Sequence, residues 1–200
     1  MRDKYGVSQD RYCYQGTDVL INRLNIQEAD ALDEAEARFT SKRYRNYQSV
    51  CTSVSDFSFD HLKILHKHLF QDLYDWAGEV RDVDISKGNT RFCTAGRIEP
   101  AALKLFKQIS SLSNSQSLDS LIHHVADLFC ELNLLHPFKE GNGRTLRFFF
   151  EELLYLLGFD VNWPEISQKE WIDANVAGLH LDLSPLEDIF KQSISPISSK

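Results

Sequence analysis

The stretch that most constrains this chain is His136-Pro137-Phe138-Lys139-Glu140-Gly141-Asn142-Gly143-Arg144-Thr145-Leu146-Arg147, set between two long apolar periodicities. Ahead of it, Leu121, Ile122, Val125, Leu128, Phe129 and Leu132 recur at helical steps and predict a helix over 118–135. Behind it, the apolar run Phe148–Leu157, stopped by Gly158, predicts a helix over 144–157. Two such helices joined by a glycine turn form a central pair, with the turn at one end. The turn is chemically dense. His136 is a candidate base, since imidazole titrates near working pH. Glu140 is a candidate ligand for a hard cation. Gly141, Asn142 and Gly143 can expose backbone N–H groups at a helix N-terminus, where free donors and the macrodipole favour an anion. Arg144 and Arg147, three apart, share roughly one helix face and add fork-shaped donors for phosphate oxygens. The plainer alternative is a helix–turn–helix corner with solvated charges. It leaves unexplained why one His, one Glu, one Asn and two Arg converge on a single turn.

Two hundred residues predict one globular unit with its own core. The net charge of −7 gives no basic footprint, so direct nucleic-acid binding is not expected. No apolar run approaches the roughly 20 residues that span a bilayer, so no membrane is expected. The start, Met1-Arg2-Asp3-Lys4-Tyr5-Gly6, lacks a signal peptide's apolar region. Cys13, Cys51, Cys93 and Cys130 are scattered without a Cys-x-x-Cys, which fits free thiols. A cytoplasmic protein is expected. No Walker phosphate loop occurs, which excludes ordinary P-loop binding.

Along the chain, residues 1–15 read as a polar arm. Val19, Leu20, Ile21 and Leu24 suggest a helical turn capped by Thr17 or Asp18, and a long amphipathic helix follows from Ile26 to about Tyr47. Residues 1–54 are expected as a helical arm packed on a core domain of residues 55–200. Leu62, Leu65, Leu69, Leu73 and Trp76 predict a helix from Phe59 to Ala77, with Gly78 as its stop. His61, His66 and His68 on it lack a ligand-pair spacing, so packing or surface roles outrank metal. Val80, Val83 and Ile85, the turn Lys87-Gly88-Asn89-Thr90 and the return at Phe92 predict a β-hairpin. Helices are expected over 99–111, opened by Pro100, over about 167–178, and from Ser184-Pro185, with Asn162-Trp163-Pro164 as a turn and a frayed tail after Ser195. The expected class is all-α with one small β-hairpin flap.

The 136–147 stretch resembles the Fic (Fic/Doc) family signature, His-x-Phe-x-Asp/Glu-Gly-Asn-Gly-Arg-x-x-Arg, with every fixed position filled. A second resemblance lies about sixty residues upstream, in Leu65-His66, Leu69-Phe70, Tyr74-x-Trp76-Ala77-Gly78 and Arg81. Together they cover roughly residues 55–190. The resemblance implies a protein adenylyltransferase. His136 would deprotonate a Tyr, Thr or Ser hydroxyl of a target protein, and that oxygen would attack the α-phosphate of ATP. Glu140 would hold Mg²⁺ on the α- and β-phosphates. Gly141, Asn142 and Gly143 would form the anion hole, with Asn142 touching the α-phosphate. Arg144 would hold the β/γ-phosphates and Arg147 the γ-phosphate, while Phe138 anchors the loop. The hairpin residues Ile85, Ser86, Lys87, Gly88, Asn89, Thr90, Arg91 and Phe92 would form a flap that docks the target segment by strand addition. The adenine pocket would draw on residues 160–180, with Asn175 a candidate.

The same resemblance limits the alternatives. Doc-type kinases carry Ala and Lys where this chain has Gly141 and Gly143, which favours adenylyl over phosphoryl transfer. UMP or phosphocholine transfer, or removal of AMP, stays open, as does a non-enzymatic binding module. The family's inhibitory helix, Ser/Thr-x-x-x-Glu-Gly/Asn, is not found. Ser184 is followed by Asp188-Ile189, and Thr40 and Ser41 by Tyr44 and Arg45. With the start around Gly16-Thr17-Asp18-Val19-Leu20, the chain resembles bacterial toxins of this family. The expected partner is a small antitoxin supplying a Glu helix near Arg147. The expected target is DNA gyrase or topoisomerase IV, inside the producing cell.

Overall fold

A computed structural model describes residues 11–88, 90–115 and 117–197; the first ten residues of the arm expected over 1–15, the flap residue Asn89 and the last three residues lie outside them. The helices are α1 (Ala29–Arg45), α2 (Phe59–Phe70), α3 (Ile98–Leu105), α4 (Ile109–Leu112), α5 (Leu118–Leu135), α6 (Asn142–Leu156), α7 (Gln168–Leu179) and α8 (Ser184–Ser193). Strands β1 (Ser86–Lys87) and β2 (Thr90–Arg91) pair antiparallel, as do β3 (Phe159–Val161) and β4 (Ile194–Pro196). The mainly helical class and the flap are as expected. The second small sheet is not, and it corrects the frayed tail: Ser195 pairs with Asp160, and Pro196 with Phe159.

Local chemistry explains most boundaries. Ser117 caps α5 by accepting from the Ser120 N–H, Ser58 caps α2 in the same way, and Ser167 with Glu170 forms a capping box on α7. α5 and α6 form the central pair. α2 packs on α6, and α3, α7 and α8 pack on α5. Phe149, Phe150, Leu153 and Leu154 of α6 meet Val125, Leu128 and Phe129 of α5 in one core, all nearly inaccessible to water. α1 lies against α2 and joins that core through Leu32.

Three expectations on element limits change. No helix forms at 19–24. Leu20 bridges Cys13 across a turn at Gly16, and Asn22 ties the next residues by accepting from the Leu24 and Ile26 N–H groups. α2 ends at Phe70 rather than Ala77, because the Leu73 and Tyr74 N–H groups both return to the Phe70 carbonyl. Residues 71–78 turn instead and close at Gly78, whose φ is +87° and whose N–H donates to His66 Nδ1. The helix expected over 99–111 is divided by a tighter turn at Phe106–Gln108.

Candidate active site

α5 ends on His136, in the left-handed conformation at φ +44°. That turn swings the chain out of the helix and points the imidazole across the loop. The ring stacks on Phe92, with centroids 3.8 Å apart. His136 Nδ1 lies 2.9 Å from the Asn133 carbonyl, which can only accept, so Nδ1 carries the proton. Nε2 is then the basic nitrogen. Burial, with smaller contributions from Arg81 and Lys87, pushes the imidazole down to about 4. A neutral His136 therefore persists well below pH 6.5.

The loop is fixed from beneath by Asn142. Its Oδ1 accepts from the Phe138 N–H and its Nδ2 donates to the Phe138 carbonyl, each at 2.8 Å. Asn142 is thus a loop clamp with a buried side chain, and what it offers a ligand is its backbone N–H at the start of α6. The expected contact of Asn142 with phosphate would therefore run through that backbone N–H. Phe138 is buried as expected, stacked on His66 at 3.8 Å. Gly141 caps α6 at φ +77°, and a Cβ there would lie 2.2 Å from Phe70 Cζ. Only glycine fits both the conformation and the space.

The charged groups follow in order along α6. Glu140 Oε1 accepts from the Gly141 N–H at 2.8 Å and lies 3.7 Å from Arg144. Arg144 stands over the Phe70 ring at 4.8 Å. Arg147 lies over Trp171 at 5.4 Å, and among the described residues no carboxylate is within ion-pair distance of it. His136, Glu140, Gly141, Asn142, Gly143, Arg144 and Arg147 all line one cleft of about 570 Å³. Lys87, Thr90 and Phe92 of the flap line it beside His136, while Ile85 is buried under the hairpin with Phe92. Ser86 is half-buried and Arg91 exposed, paired by register. Gly88 takes the turn at φ +58°. Ile166, Trp171, Ile172 and Asn175 also line the cleft, with Trp171 against Arg147. Asn175 Nδ2 donates to the Trp171 carbonyl, and its Oδ1 is buried without a hydrogen-bond partner among the described residues.

Sequence reasoning missed three contributors. Glu36 of α1 reaches into the cleft and takes Arg144 Nη2 on Oε2 at 2.5 Å. Tyr74 donates its hydroxyl to Glu36 Oε1. Arg81 is nearly inaccessible and donates to three carbonyls: Nε to His136, Nη1 to Val83 and Nη2 to Cys93. It ties the His136 backbone to both sides of the hairpin. Tyr74 and Arg81 belong to the upstream family resemblance, and only the structure gives them a role. The α2 histidines take separate structural partners: His61 pairs with Glu152, His66 bridges Glu140 O and Gly78 N, and His68 meets Arg43 O. Cys51 joins His61 and Glu152, but His61 Nε2 and Glu152 Oε2 are 2.6 Å apart. That is hydrogen-bond spacing, shorter than the roughly 3.3 Å between two ligands bound at about 2 Å to a tetrahedral ion.

Comparison with known proteins gives a consistent result. Residues 56–154 match the model of the Fic/DOC family. The chain is 34% identical over 197 residues to "Probable protein adenylyltransferase Fic" of Escherichia coli (strain K12), covering 98% of this chain and 97% of that protein. It is 36% identical, with the same coverage, to the protein of that name from Salmonella typhimurium. The crystal structure of BepC, a VirB-translocated effector of Bartonella tribocorum with bound AMPPNP, superimposes with a TM-score of 0.83. It covers 94% of this chain and 97% of that one at 24% identity, which speaks for the fold.

Proposed function

The chain belongs to the Fic/DOC family, and from that premise we propose that it is a protein adenylyltransferase: it moves AMP from ATP to a Tyr, Thr or Ser hydroxyl of a target protein. The observation that carries this is the placement of a neutral, tautomer-fixed His136 beside the N-terminus of α6, with two arginines along the same cleft. The target oxygen attacks the α-phosphorus, and its proton passes to His136 Nε2. One P–O bond forms, the bond to the β-phosphate bridge breaks, and pyrophosphate leaves. The first N–H groups of α6 face the charge that builds on the α-phosphate. Arg144 and Arg147 hold the outer phosphates.

Glu140 suits Mg²⁺, because a single carboxylate that shares the ion with phosphate oxygens and water is an ordinary magnesium donor set. When bound, the ion neutralises phosphate charge. Trp171, Ile172 and Asn175 are the adenine end of the cleft. The hairpin at 85–92 docks the target by main-chain pairing, next to the base that its Phe92 supports.

The same reading includes a partner. Arg147, without a carboxylate within ion-pair distance among the described residues, suits a glutamate brought by a small antitoxin. A type II topoisomerase is the proposed target, within the cytoplasm. Mass spectrometry of bacterial lysate incubated with the chain, ATP and Mg²⁺ tests the reaction, with His136→Ala as control. Protein adducts of one AMP, absent in the control, are expected. A phosphate-sized adduct, or none on any protein, would overturn the reading.

A further inference from the structure

Arg144 is held by a device from outside the signature. Glu36 lies on α1, its side chain 7% exposed, and meets Arg144 across 108 positions of sequence. Its second oxygen accepts from Tyr74, which is buried and stacked on Trp76 at 4.4 Å. The Glu36 carboxylate is therefore fixed from both sides. Phe70 supports the guanidinium from below at 4.8 Å, and the Phe70 ring is itself wedged against Gly141. Arg144 is charged more firmly than usual in spite of its burial, through Glu36.

The geometry of the alternatives gives this arrangement a purpose. Arg144 Nη2 lies 3.7 Å from Glu140 Oε1, so Glu140 is the next carboxylate within reach. An Arg144 released from Glu36 would close on Glu140, and both groups would be lost to a ligand. Glu36 engages Nη2, the atom of Arg144 that has a hydrogen bond among the described residues, and Arg144 still lines the cleft. A purely structural ion pair is the rival reading. It is weakened because α1 is already tied to the turn after α2 through Arg43 and Asp72, at 2.6 Å, and to the core through Leu32.

We infer that Glu36, backed by Tyr74, is a positioning residue that aims Arg144 at the nucleotide's phosphates and keeps it off Glu140. This rests on the adenylyltransferase reading above. Glu36 touches no substrate and takes no proton. It supplies fixed geometry, which matters because roughly ångström misplacement of a phosphate clamp costs on the order of 100-fold.

The test compares Glu36→Ala, Glu36→Gln and Tyr74→Phe in ATP titration and in steady-state AMP transfer, each scored per folded molecule by thermal melting. Glutamine keeps an acceptor for Arg144 and can donate to the Tyr74 oxygen, so the geometry survives without the charge. Glu36→Ala is expected to lower kcat/KM for ATP about 10-fold or more, Glu36→Gln to stay within about 3-fold of the parent chain, and Tyr74→Phe to fall between them. If alanine and glutamine both tighten ATP binding to a similar degree, Glu36 competes with phosphate and the inference is overturned. If melting drops while kcat and KM of the folded protein hold, its role is structural and the inference is equally overturned. Should Glu36→Ala not fold, the glutamine and phenylalanine variants decide alone. If the parent chain neither binds ATP nor transfers AMP, the functional reading fails first, a result distinct from variants that behave like an active parent.

Discussion

Replacing Arg81 by alanine removes one guanidinium from three backbone carbonyls at once. Nε serves His136 O at 2.8 Å, Nη1 serves Val83 O at 2.6 Å and Nη2 serves Cys93 O at 2.5 Å. The side chain is 2% exposed, so water does not compete at these sites in the native protein. Burial lowers the Arg81 pKa, and Asp84 is the charge that offsets this most. Each buried carbonyl left without a donor costs about 1–3 kcal/mol. Water entering the space vacated by the side chain recovers part of this, so a net loss of about 3–5 kcal/mol is expected. For a chain of this size that corresponds to a fall in Tm of roughly 6–20 °C. The damage also has a direction. The three carbonyls belong to the base's own residue and to the two sides of the flap, so amide exchange should quicken first at residues 83–93. Turnover per folded molecule should fall at least about 10-fold, because Phe92 no longer holds the His136 ring. Arg81→Lys keeps the charge and loses the fork, and it should lie between alanine and the parent. Circular dichroism melting, hydrogen exchange and AMP transfer measure the three effects. A Tm within about 2 °C of the parent, or exchange that quickens uniformly over the chain, would refute the reasoning.

Gly141→Ala should destabilise by about 2–5 kcal/mol and abolish transfer, because the new Cβ meets Phe70 at a position with φ +77°; a urea midpoint unchanged from the parent would count against it. The acid limb of kcat/KM should lie well below 6.5, toward the value of about 4 set by burial of His136, and a limb at or above 6.5 would exclude that nitrogen as the base. His66, at about 3, and His136, at about 4, are both buried neutral and depressed below the unfolded value. The unfolded chain therefore binds more protons below about pH 6.5, and stability falls as pH falls through that window by up to ~1.4 kcal/mol per unit for each histidine. Urea midpoints at about pH 7.5 and 5.5, above the carboxylate range, should differ in that sense, and equal midpoints would contradict it.

The sequence by itself determined the parts of this protein that depend on neighbours in the chain. α5 was legible residue for residue, since its apolar steps all lie within one helix. The loop from His136 to Arg147 was legible as a turn between two helices because its glycines break both periodicities, and Gly141 does occupy a conformation that glycine alone takes easily. The flap was legible from the turn at Gly88, though β1 and β2 proved shorter than the β-branched pattern suggested. What tertiary structure decided lies at long separation. Glu36 looked like one more charge on a solvated helix face, and only the packing of α1 on α2 buries it against Arg144. The Asn142 side chain is a loop clamp only because the loop's path brings the Phe138 backbone to both ends of its amide. The end of α2 at Phe70 and the pairing of β3 with β4 depend on contacts that no local propensity encodes. Periodicity and turn chemistry act over a few residues. Burial and charge pairing are set by whichever distant segment the core brings alongside, so the residues that aim and desolvate this site became visible only in three dimensions.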